Sequence, residues 1–427
     1  MAVFEHKSKT QFDFSLFFTA LALWIIGLAL IYSATHIHET GPLAQVARSQ
    51  VVWVVMGVVI ILAIVSIPTR FYYMLSYIIY AGSLFLLLYA IFTGIDAKGA
   101  ERWIAIGGVK IQPSEFGKLG LLLALARYLS KNTISLSRLT SFIIPGLLIL
   151  VPFALVLKQP DLGTALVFCA MALPMFYWAG MSLLEIGILI SPGISIVLSA
   201  IPLIIAFGKG ETFGIAGAVP WGIFFLVVCA VLYFFRPSII ITAGIVVANL
   251  LAAAMTTVLW NQFLKDYQKK RIISFIDPQM DPFGAGYQVI QSKVAIGSGH
   301  IFGKGFLQGT QTRLSFLPEQ HTDFIFSVLG EQFGLIGCAL VLLLFVFLIV
   351  RGYLATQHIR NRFTNLIIVG SASILAFHIF VNVAMTLGMM PVTGLPLPFL
   401  SYGGSFTLTV SIFIALLLNA RIGDQEF

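Results

Sequence analysis

Long apolar stretches alternate with short polar ones along almost the whole chain. A helix needs about 20 residues to cross a hydrocarbon core roughly 30 Å thick, and most of these stretches approach that length. There are twelve of them: 14–33, 50–67, 72–93, 115–130, 141–157, 162–180, 183–207, 220–236, 238–259, 324–350, 366–388 and 403–420. The pattern predicts an all-α, polytopic membrane helix bundle of about 10–12 transmembrane helices, forming a single domain over residues 1–427. The fourth and fifth stretches are short, which leaves broken or re-entrant helices open there.

The polar interval 260–323 interrupts this pattern. It contains twelve of the chain's 42 charged residues, of which 25 are basic and 17 are acidic. Asp277–Pro278 and Asp281–Pro282 are typical of turns and helix starts, and glycine at 284 and 286 allows close backbone approach. We predict that this interval is a large extracytoplasmic loop that carries the active site.

Composition agrees with a membrane protein. The chain is 59% hydrophobic and 10% charged, with a mean hydropathy of +0.99, whereas roughly a quarter of a soluble domain is charged. The net charge of +8 favours anionic lipid headgroups. The basic residues form no stripe, so no nucleic-acid partner is expected. Cys169, Cys229 and Cys338 lie in apolar stretches, which predicts buried thiols rather than disulfides or a metal site.

Lysine and arginine are distributed unequally between alternate loops. If the N-terminus is cytoplasmic, eleven basic residues fall in inner loops and tails: Lys7, Lys9, Arg70, Arg127, Lys131, Arg138, Arg236, Arg351, Arg360, Arg362 and Arg421. Six fall in short outer loops: Arg48, Lys98, Arg102, Lys110, Lys158 and Lys209. Short cytoplasmic loops carry the excess of basic residues in membrane proteins. Both termini are therefore predicted to be cytoplasmic, with residues 260–323 on the outer face of the cytoplasmic membrane.

Glu115 and Lys118 open the fourth apolar stretch and share one helix face at i,i+3. Two interpretations stay open. The pair could be a structural ion pair near the interface. Alternatively, Lys118 faces an internal cavity and contacts an anion while Glu115 orients it, since ionisable groups in spans usually face the bundle interior.

Asp161 precedes the sixth stretch and follows a proline. We favour an N-cap that accepts backbone N–H groups over direct contact with substrate. His378, inside the eleventh stretch, is interpreted as a hydrogen-bonded interior histidine with Asn382 one turn further on.

The carboxylates of the polar interval also allow two interpretations. They are Asp277, Asp281, Glu319 and Asp323, and His321 lies among them. Turn formation is the commoner outcome for the first two, but the mixture with several cations could place a general base beside anion-binding groups. The glycine-rich stretch 297–305 lacks the Walker spacing and a preceding strand, which favours a tight turn over a phosphate loop.

Five sets of residues, in order along the chain, resemble the SEDS family (RodA, FtsW and SpoVE), and most closely its RodA members. They are 102–104 with 112–118, 158–165, 271–291, 317–326 and 391–404. The sequence DPFGAGYQ at 281–288 is the centre of the third set. Together they extend from the third apolar stretch to the end of the chain.

The resemblance implies a peptidoglycan glycosyltransferase that polymerises lipid II during cell-wall elongation and maintenance of rod shape. It also implies a class B penicillin-binding protein as partner, beside other elongation-complex membrane proteins. The family's functional aspartate maps onto Asp281, and its Glu and Lys map onto Glu115 and Lys118. Family members are described with ten spans, and the surplus here lies between about 183 and 259.

The resulting hypothesis makes Asp281 the general base that takes a proton from the acceptor sugar hydroxyl, an effect worth roughly 10²–10⁴-fold. Lys118 is the first candidate to disperse charge on the departing pyrophosphate, with Arg271 and Lys293 behind it. The other substrate-binding candidates are Glu115, Asp161, Glu319, His321, Asp323 and Ser401. A divalent cation such as Mg²⁺ could assist, although no ligand set identifies one.

Two other functions stay open. A transporter that flips the lipid-linked precursor suits twelve apolar stretches, but it predicts polar residues that continue to an inner gate, whereas the motifs crowd at one face. A non-catalytic scaffold for a wall-synthesis complex predicts that substitution of Asp281 is harmless.

Overall fold

The computed structural model describes residues 12–36, 42–93, 95–96, 101–106, 109–131, 142–209, 218–264, 266–280 and 284–422. Asp281 lies outside these ranges. So do Lys7, Lys9, Lys98 and Arg138 of the charge argument.

Every one of the twelve apolar stretches forms a helix. The first nine are α1 (Phe14–Thr35), α2 (Val46–Val65), α3 (Thr69–Thr93), α4 (Pro113–Leu129), α5 (Ile143–Lys158), α6 (Leu162–Trp178), α7 (Leu183–Lys209), α8 (Val219–Phe235) and α9 (Ile239–Val258). Three helices follow within the polar interval: α10 (Asp266–Ile276), α11 (Ala285–Ser298) and α12 (Thr310–Arg313). The last three are α13 (Ile325–Ala355), α14 (Arg362–Thr386) and α15 (Gly404–Ile422).

Length and composition suit these helices to a bilayer. Within the described ranges, α1, α2, α3, α7, α9, α13 and α14 include seven segments long and apolar enough to cross a membrane. The helices α5, α6, α8 and α15 are apolar but shorter, and α4 carries Glu115, Lys118 and Arg127. The predicted all-α membrane helix bundle is confirmed.

The helix α14 lies at the centre of the bundle. It packs against α4, α6, α13 and α15, and 78% of its most apolar window is buried, compared with 11% for α9. A helix that is apolar on all sides and covered by protein belongs to the core. His378 and Asn382, both on α14, are therefore interior residues, as predicted.

The helices α7, α8 and α9 pack mainly against each other at the side of the bundle. Hydroxyl and amide groups join α7 to α9: Ser195 donates to Asn249 at 2.7 Å, and the Ser199 and Thr256 hydroxyls lie 2.7 Å apart. Small polar residues of this kind hold helices together in membranes. The three apolar stretches between 183 and 259 are thus three separate helices, with a left-handed Arg236 (φ 46°) between α8 and α9.

The polar interval is more helical than its turn residues suggested. Asp277 forms the predicted turn, accepting the N–H of Gln279 at 3.0 Å, but it does so where α10 ends. Gly284 then precedes α11. Because α10 and α11 are too short to cross a membrane, a search for long apolar stretches misses them.

A small antiparallel sheet was also not predicted. The strands β1 (Ile95–Asp96), β2 (Glu101–Ile106) and β3 (Val109–Ile111) pair in the order β1-β2-β3. The sheet leads directly into α4, since one residue, Gln112, separates β3 from Pro113.

The glycine-rich stretch crosses a break in α13. Gly334 has φ 62° and ψ −159°, which interrupts the helix. The carbonyl of His300 accepts the N–H of Leu335 at 2.9 Å, and the N–H of Lys304 donates to the carbonyl of Glu331 at 3.0 Å. The stretch therefore satisfies the backbone groups that the break exposes.

Candidate active site at one end of the bundle

Four of the family-like motifs meet at the end of the bundle where α4, α6 and α15 begin, which we call the motif end. They are 112–118, 158–165, 317–326 and 391–404. The N–H of Gln112 donates to Ser405 Oγ at 3.2 Å, and the N–H of Tyr402 donates to the carbonyl of His321 at 2.9 Å. Segments more than 200 residues apart in the chain are thus in direct contact.

The 158–165 and 271–291 motifs reach the same place. Gly163 lies so close to Thr393 that an added Cβ would stand 3.0 Å from its carbonyl oxygen. Tyr267, on α10, donates its hydroxyl to the carbonyl of Pro160 at 3.0 Å. On α11, Val289 packs in an apolar cluster with Leu317, Phe324, Met385 and Val392.

Glu115 and Lys118 form a buried ion pair. Lys118 Nζ donates to Glu115 Oε1 at 2.8 Å, and the side chains are 4% and 1% exposed. Glu115 lies in the first turn of α4, where the helix dipole favours a carboxylate. The structure thus contains the ion pair of the first interpretation. Its lysine is covered by protein rather than open to solvent.

His378 completes this cluster. Its Nε2 lies 3.1 Å from Lys118 Nζ, and its Nδ1 lies 3.3 Å from the carbonyl oxygen of Pro396. The ring of Phe406 covers both groups, with its centroid 5.6 Å from Nζ and 5.1 Å from the imidazole centroid. A helix start on α4, the centre of α14 and the 391–404 segment therefore share one polar cluster.

Asn382, one turn further along α14, ties two motifs together. Its amide nitrogen donates to the carbonyls of Asp323 at 2.9 Å and Leu395 at 2.8 Å. Its Oδ1 atom is buried and finds no donor among the described residues, and the same holds for Glu115 Oε2. Two buried acceptors thus retain hydrogen-bonding capacity, one on the partner of Lys118 and one a turn beyond His378.

Asp161 is the N-cap of α6, as favoured from the sequence. Its Oδ1 accepts the N–H of Thr164 at 3.2 Å, and it is 7% exposed. The preceding Pro160 accepts from α10 through Tyr267. Asp161 therefore fixes the start of α6 at the point where α10 crosses it.

Arg271 and Lys293 lie on the two helices that flank position 281. The guanidinium of Arg271, on α10, lies 5.6 Å from the ring centroid of Tyr267. Lys293, on α11, is exposed, and the end of its side chain passes close to Gly388. The two helices pack against each other.

The remaining candidates lie on two segments that pack together. Ser401 Oγ donates to the carbonyl of Thr322 at 2.6 Å and accepts the N–H of Leu397 at 2.8 Å. The ring of His321 lies beside that of Tyr402 in a tilted arrangement, with centroids 5.9 Å apart. Glu319 has a left-handed φ of 53°, and its carboxylate accepts from the Thr322 hydroxyl at 3.1 Å.

Asp323 lies beside the 391–404 segment. Its Oδ2 is 3.6 Å from the position of a Cβ added to Gly394. Glu319, His321, Asp323 and Ser401 are thus brought together. The first three are partly exposed, whereas Ser401, like Glu115 and Lys118, is buried.

Metal ligation has no candidate in the described ranges. They contain no group of three or more His, Cys, Asp or Glu side chains that could hold an ion. The proposed assistance by Mg²⁺ therefore stays a prediction.

Sequence reasoning missed two residues near the motif end. His378 was interpreted as an interior histidine and not as a partner of Lys118, because nothing in the sequence relates positions 260 apart. Glu331 was not singled out, although a carboxylate inside an apolar stretch is a signal in itself. It accepts from Lys304 Nζ at 2.9 Å and from the N–H groups of Gln311 and Thr312 at 2.8 and 3.0 Å.

Comparison with known proteins identifies the family of this chain. A family model described as "Cell cycle protein", FTSW_RODA_SPOVE, matches residues 14–213 and 220–425. The peptidoglycan glycosyltransferase RodA of Treponema pallidum is 36% identical over 436 aligned residues, covering 97% of this chain and 99% of that protein.

Two solved structures share the fold. One, described as structural coordination of polymerization and crosslinking by a peptidoglycan synthase complex, gives a TM-score of 0.66 at 29% identity and covers 96% of this chain and 97% of that one. The crystal structure of the rod shape determining protein RodA of Thermus thermophilus gives 0.61 at 24% identity, with coverage of 97% and 98%. The family resemblance expected from the motifs is confirmed: the chain belongs to the FtsW/RodA/SpoVE family.

Proposed function

We propose that this chain is a peptidoglycan glycosyltransferase that polymerises lipid II into glycan strands during cell-wall elongation. The observation that carries the proposal is the similarity, over 97% of the chain, to a relative named for this activity. The family match begins in α1 and ends in α15. The predicted activity therefore rests on the whole scaffold rather than on one motif.

Lipid II requires two environments at once. Its polyprenyl tail needs an apolar one, and its pyrophosphate and sugars need a polar one. The motif end provides both, because polar segments around α10 and α11 adjoin helices long and apolar enough to cross a membrane.

Charge supports placing the motif end outside the cell. The opposite end of the bundle carries Arg70, Arg127, Arg351, Arg360 and Arg362, and basic residues in short loops favour the cytoplasmic side. We therefore assign the motif end to the outer face of the cytoplasmic membrane, with both termini in the cytoplasm.

Asp281 is the proposed general base. The acceptor sugar 4-hydroxyl attacks the anomeric carbon of the donor, and a carboxylate that takes its proton contributes roughly 10²–10⁴-fold. The described residues on both sides of Asp281 support the assignment. The α10 flank contacts Pro160 through Tyr267, and the α11 flank packs on the 317–324 and 385–392 segments through Val289.

Cations on the two helices that flank Asp281 in the sequence would disperse the charge that develops on the departing pyrophosphate. Lys293 is exposed and Arg271 is partly exposed, whereas Lys118 is 1% exposed and engaged by two groups. We therefore assign direct pyrophosphate contact to Arg271 and Lys293. Lys118, paired with Glu115, contributes its charge from beneath.

The polar residues above this cluster form the rest of the proposed substrate site. Glu319, His321 and Asp323 are all partly exposed. Their side chains suit hydrogen bonds to sugar hydroxyls. Ser401 and Asp161 have their oxygens engaged by backbone, so they hold the segments that carry these groups.

A class B penicillin-binding protein is the proposed partner, together with other elongation-complex membrane proteins. The support is the similarity to a structure described as coordinating polymerization and crosslinking in a peptidoglycan synthase complex. A transpeptidase that crosslinks nascent strands would act on the product released at the motif end.

The test uses the purified full-length chain with fluorescent lipid II, alone and with a class B penicillin-binding protein. Glycan strands separated by gel electrophoresis are the expected product, and parallel reactions with EDTA decide whether a divalent cation takes part. A flippase would instead move lipid II from the inner to the outer leaflet of vesicles without making polymer. Translocation without glycan strands would contradict the proposal.

A further inference from the structure

His378 contacts two parts of the site at once. Its ring lies between the buried ion pair at the start of α4 and the segment that joins α14 to α15. Both ring nitrogens are engaged, Nε2 with Lys118 Nζ at 3.1 Å and Nδ1 with the carbonyl of Pro396 at 3.3 Å. His378 and Lys118 are each 1% exposed, so these contacts are shielded from bulk solvent.

The two contacts determine the tautomer of the imidazole. A carbonyl oxygen only accepts hydrogen bonds, so Nδ1 must carry the hydrogen that is donated to Pro396. The neutral ring then has its lone pair on Nε2, which accepts from the ammonium group of Lys118. A ring with its hydrogen on Nε2 would present a donor to a donor. The position of the Pro396 carbonyl therefore decides whether His378 can hold Lys118.

Lys118 is consequently held from two sides. Glu115 Oε1 accepts from Nζ at 2.8 Å on one side, and His378 Nε2 accepts on the other. The ammonium group cannot move toward or away from the site without losing one of these buried partners, which is costly in a low-dielectric interior.

A second side chain of α14 holds the carbonyl of Leu395, next to that of Pro396. Asn382, one turn beyond His378, donates to the carbonyls of Leu395 and Asp323. Two side chains of α14 thus hold the consecutive carbonyls 395 and 396. A shift of the 391–404 segment would reach Lys118 through His378.

We infer that His378 is a positioning residue for the glycosyl transfer: it holds the ammonium group of Lys118 in place and couples it to the 391–404 segment. The inference rests on the proposed function, because transfer is the reaction that it serves. His378 acts through Lys118 and does not contact the substrate. Through His378 on α14, the site extends from the Glu115–Lys118 pair on α4 to the centre of the bundle.

Two substitutions test the roles of the two ring nitrogens separately. In His378→Gln the amide oxygen takes approximately the place of Nε2 and keeps an acceptor for Lys118. In His378→Asn the shorter amide keeps a donor near Pro396 but does not reach Lys118. Ser373→Ala is the matched control, since Ser373 is a buried polar residue on the same helix whose partners are Val369 and Tyr353.

The experiment measures polymerisation of labelled lipid II by the purified full-length variants, together with their thermal unfolding midpoints. We expect His378→Asn to lower kcat by roughly 10²-fold, the size of effect that a mutation away from the reacting atoms produces when it displaces the site by about 1 Å. His378→Gln should lose much less than His378→Asn, because it keeps an acceptor for Lys118 but not the contact with Pro396. Ser373→Ala should stay close to wild type. Adding His378→Asn to Lys118→Ala should cause no further loss, because the histidine acts through the lysine.

Three results would overturn the inference: His378→Asn polymerises like wild type, His378→Gln is as slow as His378→Asn, or the loss persists unchanged in the Lys118→Ala background. Activity that follows the unfolding midpoint across all variants would equally assign His378 a structural role only.

A second measurement does not depend on activity. In ¹⁵N-histidine-labelled protein, one neutral ring protonated on Nδ1 should give a nitrogen signal that disappears in His378→Gln. Assignment of that signal to a ring protonated on Nε2 overturns the inference. A wild-type chain that makes no glycan strands while showing the Nδ1–H ring contradicts the proposed function and not this geometry.

Discussion

Glu331 shows how a single carboxylate is accommodated inside a mostly apolar bundle. Its side chain is 0% exposed. One oxygen accepts from Lys304 and from the N–H of Gln311, and the other accepts from the N–H and the hydroxyl of Thr312 at 3.0 and 2.7 Å. A buried charge is tolerated only when it is paired and hydrogen-bonded in this way. Glu331 thereby attaches the 304–312 segment to α13.

Replacing Glu331 by Gln should destabilise the chain by about 3 kcal/mol. The amide NH₂ would face at least one of the groups that now donate to the carboxylate, and Lys304 would lose its negative partner. The thermal unfolding midpoint in detergent is the measurement. Lys304→Gln is the control, and its effect should be smaller because Lys304 is 25% exposed. An unchanged midpoint in Glu331→Gln would show that the hydrogen bonds to Glu331 contribute little to stability.

Local chemistry was predictable at the residue scale, and distant contacts were not. The Glu115–Lys118 pair follows from i,i+3 spacing, and the Asp161 cap follows from its place before an apolar stretch. The contact of Lys118 with His378 joins positions 260 residues apart and depends on how α4 and α14 pack. No spacing rule reaches that far.

At the scale of elements, the crossing of the 299–305 stretch over α13 depends on glycine. A Cβ on Gly299 would overlap the carbonyl oxygen of Gly330, and a Cβ on Gly303 would overlap that of Gln332. Gly303 and Gly334 also have positive φ, at 81° and 62°, a region that residues with a Cβ rarely adopt. The close approach lets the stretch bond to the backbone of the broken helix.

Gly299→Ala should therefore be destabilised by roughly 1–3 kcal/mol through overpacking. Gly297→Ala, two residues earlier, has open space around the added Cβ, and on α11 it should be neutral or stabilising by up to about 1 kcal/mol. Thermal unfolding of the two variants side by side checks the prediction. Equal midpoints would mean that the crossing relaxes around the methyl group.

Elements long enough to cross a membrane were predictable, and short ones were not. All twelve apolar stretches became helices because their length and composition leave no other stable form in a bilayer. The helices α10 and α11 and the three-stranded sheet carry ordinary polar sequence. Their form depends on contacts with the bundle, such as that of Tyr267 with Pro160, and no periodic pattern reports those contacts.

At the scale of the whole molecule, the family-like motifs are concentrated at one end of the bundle. Four motifs separated by long apolar segments meet at the motif end, where α4, α6 and α15 begin. Their order in the chain and the parity of the helices were enough to predict a common side. Which motif contacts which, for example Tyr402 with His321, required the structure.

The proposed orientation predicts opposite labelling of two exposed positions. In a background without Cys169, Cys229 and Cys338, Gln279→Cys should react with a membrane-impermeant maleimide in cells whose cytoplasmic membrane is intact. Arg360→Cys should react only after permeabilisation, because basic loops face the cytoplasm. The reverse pattern would place the motif end inside the cell and exclude its action on outer-leaflet lipid II.

The measurement that tests the central claim most directly is lipid II polymerisation by Asp281→Asn. Asp277→Asn is the matched control, since Asp277 makes a turn by accepting the N–H of Gln279 and asparagine can do the same. With both variants inserted in the membrane at wild-type levels, Asp281→Asn should lose at least about 10²-fold in rate, while Asp277→Asn stays active. Wild-type glycan synthesis by Asp281→Asn would contradict the assignment of the general base.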